Sequence, residues 1–366
     1  MANTVVATGL KVQQWNAEFF KEYLAENRFS ASMGTNESAV IQVREDLTKE
    51  KGDSITFALV NKLTNDATEG SATLEGNEED LASRSYKLVV NKRRHGVVVA
   101  EVDEQFSAIG LRDAARAQLK NWALSDTEML VIRALSSING TRYASASEAN
   151  KDAWLVDNAD RVLFGAARSN NSSNDHSASL ANCDTTNDKL TAAALSKMKT
   201  IATSIANPRI RPIRSVTSKG RQYFVVYAHS YAFNDLKADT TITQAQREVG
   251  ITAENERLFE GGDLYWDGMI IKEIPAAASE WNFGTVGASS AVVVGAFLCG
   301  AQALGVGYAR RWRTITQMRD YEDKHGVAVD SIYGVNKLIF GSGTADTADT
   351  KDNGVVTGYF ATSGVT

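Results

Sequence analysis

The sequence has few of the residues that enzymes and metalloproteins use most often for chemistry. The 366 residues include only two cysteines and four histidines, at Cys183, Cys299, His95, His176, His229 and His325. The cysteines lack metal-ligand spacing, which predicts free thiols of a reducing compartment, and no histidine sits in a zinc or nucleophile-elbow pattern. The segment GSGTADT at 341–347 lacks the lysine of a phosphate-binding loop. We therefore predict no catalytic residue and no cofactor.

Charge and hydropathy exclude two further classes. The net charge of −5 gives no basic surplus of the kind that a dedicated nucleic-acid binder shows. The N-terminus MANTVVATGLKVQQW has no secretory signal pattern, which predicts a protein that stays in the cytoplasm where it is made. One uncharged run, at 286–309, has the length of a membrane span but is rich in Gly, Ala and Ser, so we predict a buried strand followed by a small-residue helix.

What the sequence does contain is a long excursion between Leu47 and Val99. In residues 54–63, Ile55, Phe57 and Leu59 alternate with Thr56, Ala58 and Val60, and Tyr86, Leu88 and Val90 alternate again on the return, which predicts an antiparallel pair of strands. Arms of about ten to twenty residues at about 3.3 Å per residue would project on the order of 40–60 Å. Because an isolated two-stranded ribbon is marginal in water, we expect it to lie on a neighbouring copy.

Charges of opposite sign mark the two ends of this excursion. The tip between Thr64 and Leu81 carries acidic residues, among them Glu75, Glu78, Glu79 and Asp80, and the return carries Arg84, Arg93 and Arg94. Opposite charges favour head-to-tail contact between identical chains. A solvated loop with scattered charges is the alternative, and the charge pattern does not decide between them.

Two amphipathic helices are predicted on either side of the excursion. Residues 12–26 place Trp15 and Phe19 at helical spacing, and this stripe docks either on the same chain or on a partner. Residues 105–138 have an apolar face and a cationic row that includes Arg112 and Arg116, and Asn139-Gly140 is expected to end this helix.

The remainder mixes helices and strands without a regular βαβ repeat, which predicts an α+β fold. Residues 168–188, RSNNSSNDHSASLANCDTTND, have the composition of a surface loop or flexible insertion. We expect a helix over 190–206, strands over 223–228 and 264–274, and two final strands over 327–340 around Ser331. Two basic clusters, near 209–214 and 310–313, are ordinary surface charge or contacts for an acidic tip or a polyanion. Asp346, Asp349 and Asp352 are a weak cation signal because they are widely spaced.

Several blocks, taken in order, resemble major capsid proteins of N-four-type tailed bacteriophages. They are KEKGDSITFALV at 49–60, LEGNEEDL at 74–81, RRHGVVV at 93–99, FVVYAHSYAFNDLKAD at 224–239, GGDLYWDGMIIKEIP at 261–275, LCGAQALGVGYA at 298–309 and IYGVNKLIF at 332–340. The resemblance implies a Hong Kong 97-type capsid fold. It assigns an N-terminal arm to 1–45, an extended loop to 46–103, a peripheral domain with a spine helix at about 105–138 to 104–187 and 313–345, an axial domain to 188–312 and a C-terminal tail to 346–366.

This resemblance implies a structural protein that self-assembles into pentamers and hexamers of an icosahedral shell around double-stranded DNA. The partners would be other copies of the chain, a portal, scaffold or decoration proteins and the packaged DNA through non-specific contact, with no membrane; the location would be the virion after assembly in the host cytoplasm. Some shells of this fold are crosslinked through a loop lysine, but Lys62 has no recognisable partner motif, so we predict no crosslink. A cargo-packaging, encapsulin-like compartment is the alternative. A third hypothesis is an enzyme, such as a hydrolase that uses scattered Asp or Glu side chains.

Overall fold

The computed structural model describes residues 28–48, 52–60, 66–71, 73–78, 83–107, 110–205, 209–214, 222–249, 259–260, 263–341 and 350–364. The predicted arm helix with Trp15 and Phe19, the tip residues Glu79 and Asp80, and Lys62 lie outside these ranges. So do Asp346 and Asp349.

Helices and strands are mixed along the described chain, which confirms the predicted α+β class. The helices are α1 (Glu101–Phe106), α2 (Leu111–Leu135), α3 (Glu148–Asn158), α4 (His176–Ala181), α5 (Ala192–Ser204), α6 (Ser230–Lys237) and α7 (Thr240–Val249). The strands are β1 (Met33–Gly34), β2 (Ile41–Arg44), β3 (Ser54–Val60), β4 (Ser83–Val89), β5 (Asn91–Ala100), β6 (Val162–Phe164), β7 (Ile213–Arg214), β8 (Gln222–Ala228), β9 (Phe259–Glu260), β10 (Asp263–Trp266), β11 (Met269–Glu273), β12 (Asn282–Gly284), β13 (Val292–Cys299), β14 (Leu304–Arg319), β15 (Lys324–Lys337), β16 (Ile339–Gly341), β17 (Thr350–Asp352) and β18 (Val355–Thr362).

The described chain divides into two compact units. Unit 1 contains Lys92–Asp126 and Arg311–Ile332, and unit 2 contains Arg28–Asn91, Thr127–Arg310 and Tyr333–Thr366. One sheet has the order β1-β2-β14-β15-β5, and a larger one has the order β6-β18-β13-β8-β11-β10-β9 with β12 and β7 at its side.

The larger sheet is the centre of unit 2. Its strands β13 and β18 pair antiparallel over their whole lengths, and nearly every residue in both is buried. Such continuous apolar runs are typical of strands covered on both faces. One face packs against α5 and α6, and the other packs against the second half of α2, where Val131, Ile132 and Leu135 contact the group that includes Tyr227 and Phe297.

The single helix predicted over 105–138 is wrong in its extent. α1 ends at Phe106, Ser107 has extended backbone (φ −83°, ψ 135°), and α2 runs from Leu111 to Leu135. A new helix starts after Gly110, whose carbonyl accepts the first bond of α2 from the Ala114 amide at 3.0 Å. Asn139 and Gly140 both have positive φ (44° and 80°) and form a tight turn beyond the helix, as Asn-Gly pairs do between short strands.

The predicted antiparallel pair in the excursion is confirmed, with Ser54 opposite Val89 and Val60 opposite Ser83. Its described arms are seven residues each, or about 23 Å at about 3.3 Å per residue, which is shorter than we expected. The expectation that it needs a neighbour for support is wrong for this part. Ile55, Phe57 and Leu88 are buried against Leu338 and Phe340 of the same chain.

The segment 168–188 is not a flexible insertion. It contains α4, and its Leu180 and Cys183 side chains are buried. The carboxylate of Asp188 accepts hydrogen bonds from the Ala166 amide (2.8 Å), the Asn170 side chain (3.0 Å) and the Asp184 amide (3.2 Å). Much of the segment is exposed, as its composition predicted, but composition did not predict α4 or the hydrogen bonds within the chain that hold Asp188.

The helix predicted after the first strand of 286–309 is also wrong, because β14 takes its place. A Cβ at Gly305 would lie 2.8 Å from Leu338 Cδ2, and one at Gly307 would lie 2.7 Å from Ile55 Cδ1. Gly305 and Gly307 therefore allow the side chains of Leu338 and Ile55 to pack directly against the backbone of β14. β15 is one strand that continues through Ser331, and the break comes at Leu338.

Three further predictions are confirmed with small shifts in their bounds. α5 matches the helix expected over 190–206, β8 matches the strand over 223–228, and β10 and β11 form the strand with an internal turn at 264–274.

Candidate intersubunit surface

Unit 1 has only a small apolar core of its own. Leu119, Val327 and Val329 are buried there, with Trp122 and Trp312 packed beside them. Trp122 stacks on His95 with the ring centroids 4.8 Å apart and meets Trp312 edge-on at 5.8 Å. These contacts explain why β5, the first half of α2 and the unit 1 part of β14 and β15 fold together.

Large apolar side chains remain on the surface of this small unit. Seven of the thirteen that the described chain exposes lie here, on β5, α1, β14 and the turn after it: Val97, Val98, Val102, Phe106, Ile315, Met318 and Tyr321. We call these seven residues the exposed apolar set. Contiguous apolar patches mark interaction surfaces, and the seven residues come from two short stretches of sequence, 97–106 and 315–321. Unit 1 is therefore the part of the described chain most suited to contact another protein.

The turn between β14 and β15 presents the most exposed member of this set. Tyr321 is fully exposed (104%), and Asp320, Tyr321 and Glu322 all have positive φ (55°, 53° and 75°). A left-handed backbone costs a bulky residue about 1–2 kcal/mol, and such outliers concentrate at functional sites. The turn is held by the Asp323 amide, which donates to the Asp320 carbonyl at 3.0 Å, and by Lys324, whose Nζ lies 2.6 Å from Asp320 Oδ2.

α1 is tied to the same turn. The Glu101 amide at its start donates to the Asp323 carbonyl at 2.9 Å. Phe106, at the other end of α1, is 83% exposed. Both large aromatic members of the exposed apolar set therefore belong to elements that one hydrogen bond joins.

The basic residues predicted for intersubunit contact fall into two groups. Arg93 donates from Nε to Asp126 Oδ2 at 2.6 Å, and Arg112 pairs with Glu104. Arg84 is buried, with 7% of its surface exposed. Arg84 is therefore enclosed, whereas Arg93 and Arg112 are ion-paired but keep 33% and 35% of their side-chain surface exposed, and their contact with an acidic tip stays a prediction.

Two other predicted basic residues are exposed in unit 1. Arg94 lies on β5, and Arg116 on α2 is 3.3 Å from Asp113, which is also exposed. In the excursion, Glu75 and Glu78 are exposed, and Glu78 Oε2 accepts a hydrogen bond from the Gly76 amide at 2.7 Å. The contact of this tip with a basic neighbour stays a prediction.

Sequence reasoning missed the exposed apolar set entirely. The available signal was WRTITQMRDYEDKH at 312–325, in which the acidic segment DYED separates a run that contains Trp, Thr and Ile from the strand predicted to start at 327. Such a pattern predicts a hairpin, and a tyrosine at its turn is well placed to reach outward.

Unit 2 holds two groups of buried or partly buried charges in ion pairs. Lys337 Nζ lies 2.5 Å from Asp352 Oδ2, and Trp154 Nε1 donates to the same oxygen at 3.2 Å. Arg133 and Arg142 both donate to Glu280, at 2.9 and 2.6 Å. Burial raises the pKa of Glu280, but the hydrogen bonds from the two arginines outweigh it and the pKa falls below its usual range. These groups stabilise the fold rather than line a cleft.

Both cysteines are buried free thiols, as the sequence predicted. Burial raises the pKa of Cys183 to about 12, and it also raises the pKa of Cys299, so each remains protonated at neutral pH. No helix among the described residues is both long and apolar enough to cross a membrane.

A family model described as phage capsid protein matches residues 3–363. The chain belongs to this family. The chain is 27% identical over 366 residues to the major capsid protein of Pseudomonas phage KPP25, a match that covers 95% of this chain and 94% of the relative. It is also similar to the capsid asymmetric unit of cyanophage Pam1, with a TM-score of 0.85, 30% identity and all of both chains covered.

The capsid of Ralstonia phage GP4 shares the fold, with a TM-score of 0.76 and 21% identity over all of both chains. The likeness to these capsids confirms the predicted Hong Kong 97-type fold and the resemblance to phage major capsid proteins. The chain is part of the capsid of a phage virion. These relatives are phage shells, which does not favour the cargo-packaging compartment.

Proposed function

We propose that this chain is the major capsid protein of a tailed double-stranded DNA phage and that its copies assemble as pentamers and hexamers into an icosahedral shell. Family membership supports the capsid role, and the exposed apolar set supports self-association. The shell would enclose the genome through non-specific contact and meet a portal and scaffold or decoration proteins. It would have no enzymatic activity.

The exposed apolar set is the observation that carries the self-association. The apolar core of unit 1, formed by Leu119, Val327 and Val329, is small for a unit that leaves Phe106 and Tyr321 exposed to solvent. Burial of one such side chain contributes about 1.5–3 kcal/mol. Contacts of this size, repeated around a closed shell, stabilise the assembly without a specific pocket. The exposed cations Arg94 and Arg116 would add register through acidic partners, such as Glu75 and Glu78 of another copy.

The division into arm, extended loop, peripheral domain and axial domain remains our prediction for the assembled subunit. The excursion would be the extended loop, and α2 would be the spine helix. One face of the base of the loop packs on its own chain, which leaves the opposite face, with Val60 and Val89, and the distal part to contact a neighbour.

Overexpression of the full chain followed by negative-stain electron microscopy tests the proposal. We expect closed particles or tubes. Tyr321→Ser should raise the protein concentration needed for assembly by about 10- to 100-fold, because the lost burial is worth about 1.5–3 kcal/mol.

The matched control is Tyr265→Ser, which removes a 41% exposed tyrosine from β10 of unit 2. It should assemble like the unchanged protein. Unaltered assembly of the Tyr321 variant, or equal loss in both variants, would contradict the assignment of unit 1 as the contact surface. A chain that stays monomeric at high concentration, with or without a scaffold protein, would contradict the shell itself.

A further inference from the structure

A group of acidic side chains lies where the starts of α3 and α4 come together. Glu148 is the first residue of α3, Asp152 lies one turn later, and Asp175 is the residue that caps α4. One carboxylate oxygen from each lies within 4.8 Å of the others. Like charges this close repel one another, so the arrangement favours a bound cation.

The buried side chain of His176 is an independent sign of a missing partner. His176 is 0% exposed, and neither imidazole nitrogen has a hydrogen-bond partner among the residues that the structure describes. Aromatic rings surround it, with centroids 5.3 Å away for Tyr359 and 5.7 Å for Tyr143. Buried polar groups are normally hydrogen-bonded or bound to a metal, so two unsatisfied nitrogens require an explanation.

The imidazole points toward the acidic group. Its Nδ1 lies 3.7 Å from Glu148 Oε1, which is too long for a hydrogen bond. A neutral imidazole keeps a lone pair on one of its two nitrogens, which is available to a ligand.

Hydrogen bonds already orient the carboxylates of this group. Asp175 Oδ1 accepts from the Ala178 amide at 2.8 Å, and Asp152 Oδ1 accepts from the His176 amide at 2.8 Å. These bonds leave Oδ2 of each aspartate for another partner. Outer hydrogen bonds of this kind fix the ligands of metal sites.

The charge of the site suits a divalent ion. Three carboxylates face one ammonium group, since Lys151 Nζ lies 3.4 Å from Glu148 Oε2 and sits over the Tyr143 ring at 4.4 Å. Two negative charges are left without a partner within this group. A monovalent cation would leave one of them uncompensated.

We propose that Glu148, Asp152, Asp175 and His176 bind a divalent transition cation of the Zn²⁺ class. Three oxygen ligands and one imidazole nitrogen form a four-coordinate set that Zn²⁺ accepts, whereas Ca²⁺ prefers six to eight oxygens. Ligands bound at about 2.1 Å lie about 3.0–3.6 Å apart, so the three carboxylates, which lie within 4.8 Å of one another, close by about 1 Å around the ion, and His176 approaches it beside Glu148. The ion joins α3 to α4 and so attaches the segment 168–188 to the preceding helix. This site goes beyond the proposed shell function.

Zn²⁺ titration of the tag-free, full-length chain after treatment with EDTA tests this site. Calorimetry should show saturable binding with one ion per chain, and thermal melting should show a rise in Tm. Glu148→Gln and Asp175→Asn should each weaken binding by at least tenfold. Both residues are exposed, and asparagine still caps a helix, so these variants should fold.

The matched control is Glu101→Gln, which alters an exposed first-turn glutamate of α1 outside this group. It should bind Zn²⁺ with unchanged affinity. Absence of saturable binding to the unchanged chain, or equal affinity in the Glu148 variant, overturns the proposal. Binding is measured on the chain whether or not it forms particles, so failure here leaves the shell proposal untouched.

Discussion

Replacement of Lys337 by methionine tests whether the buried ion pair of unit 2 stabilises the fold. Lys337 is fully buried, and its Nζ is the cationic partner of Asp352, whose side chain is also almost wholly enclosed. Methionine has a similar length and no charge. In Lys337→Met the Asp352 carboxylate retains the Trp154 indole at 3.2 Å, but it loses its ion pair.

The expected loss in the free energy of unfolding is large. Removal of one partner of a buried pair costs about 3–5 kcal/mol, because the remaining charge is left uncompensated. The double change Lys337→Met with Asp352→Leu removes both charges and should recover most of the stability.

Equilibrium urea denaturation, followed by tryptophan fluorescence, measures these differences. The control is Lys324→Met, which breaks the exposed pair with Asp320 and should leave stability nearly unchanged. A loss below about 1 kcal/mol in the Lys337 variant, typical of a surface pair, would refute the reasoning. So would a double variant that is less stable than the single one.

Two further predictions concern packing and pH. Gly307→Ala places a Cβ 2.7 Å from Ile55 Cδ1 and should destabilise the chain by about 1–3 kcal/mol in the same urea assay, whereas Gly110→Ala meets only a carboxylate oxygen 3.9 Å away and should be tolerated. Glu280→Gln should be less stable than the unchanged protein at pH 7. The lowered pKa of Glu280 contributes stability above its ordinary value of 4.5, so the difference between the two proteins should disappear as the pH falls below that value, and a difference that persists would contradict the role of this pair.

The sequence predicted those elements whose side-chain period is unambiguous. β3 and β4 place their largest apolar residues at every second position, and α5 repeats its apolar residues with helical spacing, so these elements lie where expected. Residues 286–309 consist of small apolar side chains that suit either a helix or a close-packed strand. Whether this segment forms a helix or a strand depends on Phe57 and Leu338, which pack against Gly305 from distant parts of the sequence.

The candidate surface was harder to predict because some of its charged side chains form ion pairs with residues far away in the sequence. Arg93 and Asp126 are 33 residues apart and meet only in the folded chain, which gives Arg93 an ion-pair partner within its own chain. The exposed apolar set was equally hidden. Exposure of Phe106 depends on α1 ending where it does, and periodicity extended the following helix across that point.

The packing of Ile55, Phe57 and Leu88 on Leu338 and Phe340 has a mechanical consequence. A pair of strands anchored at one end behaves as a lever arm, so a pull on its distal part becomes a torque at its base. That torque falls on Leu338 and Phe340, which stand at the join between β15 and β16. Strain from a neighbouring copy would therefore enter the subunit at that join, far along the sequence from the residues that are pulled.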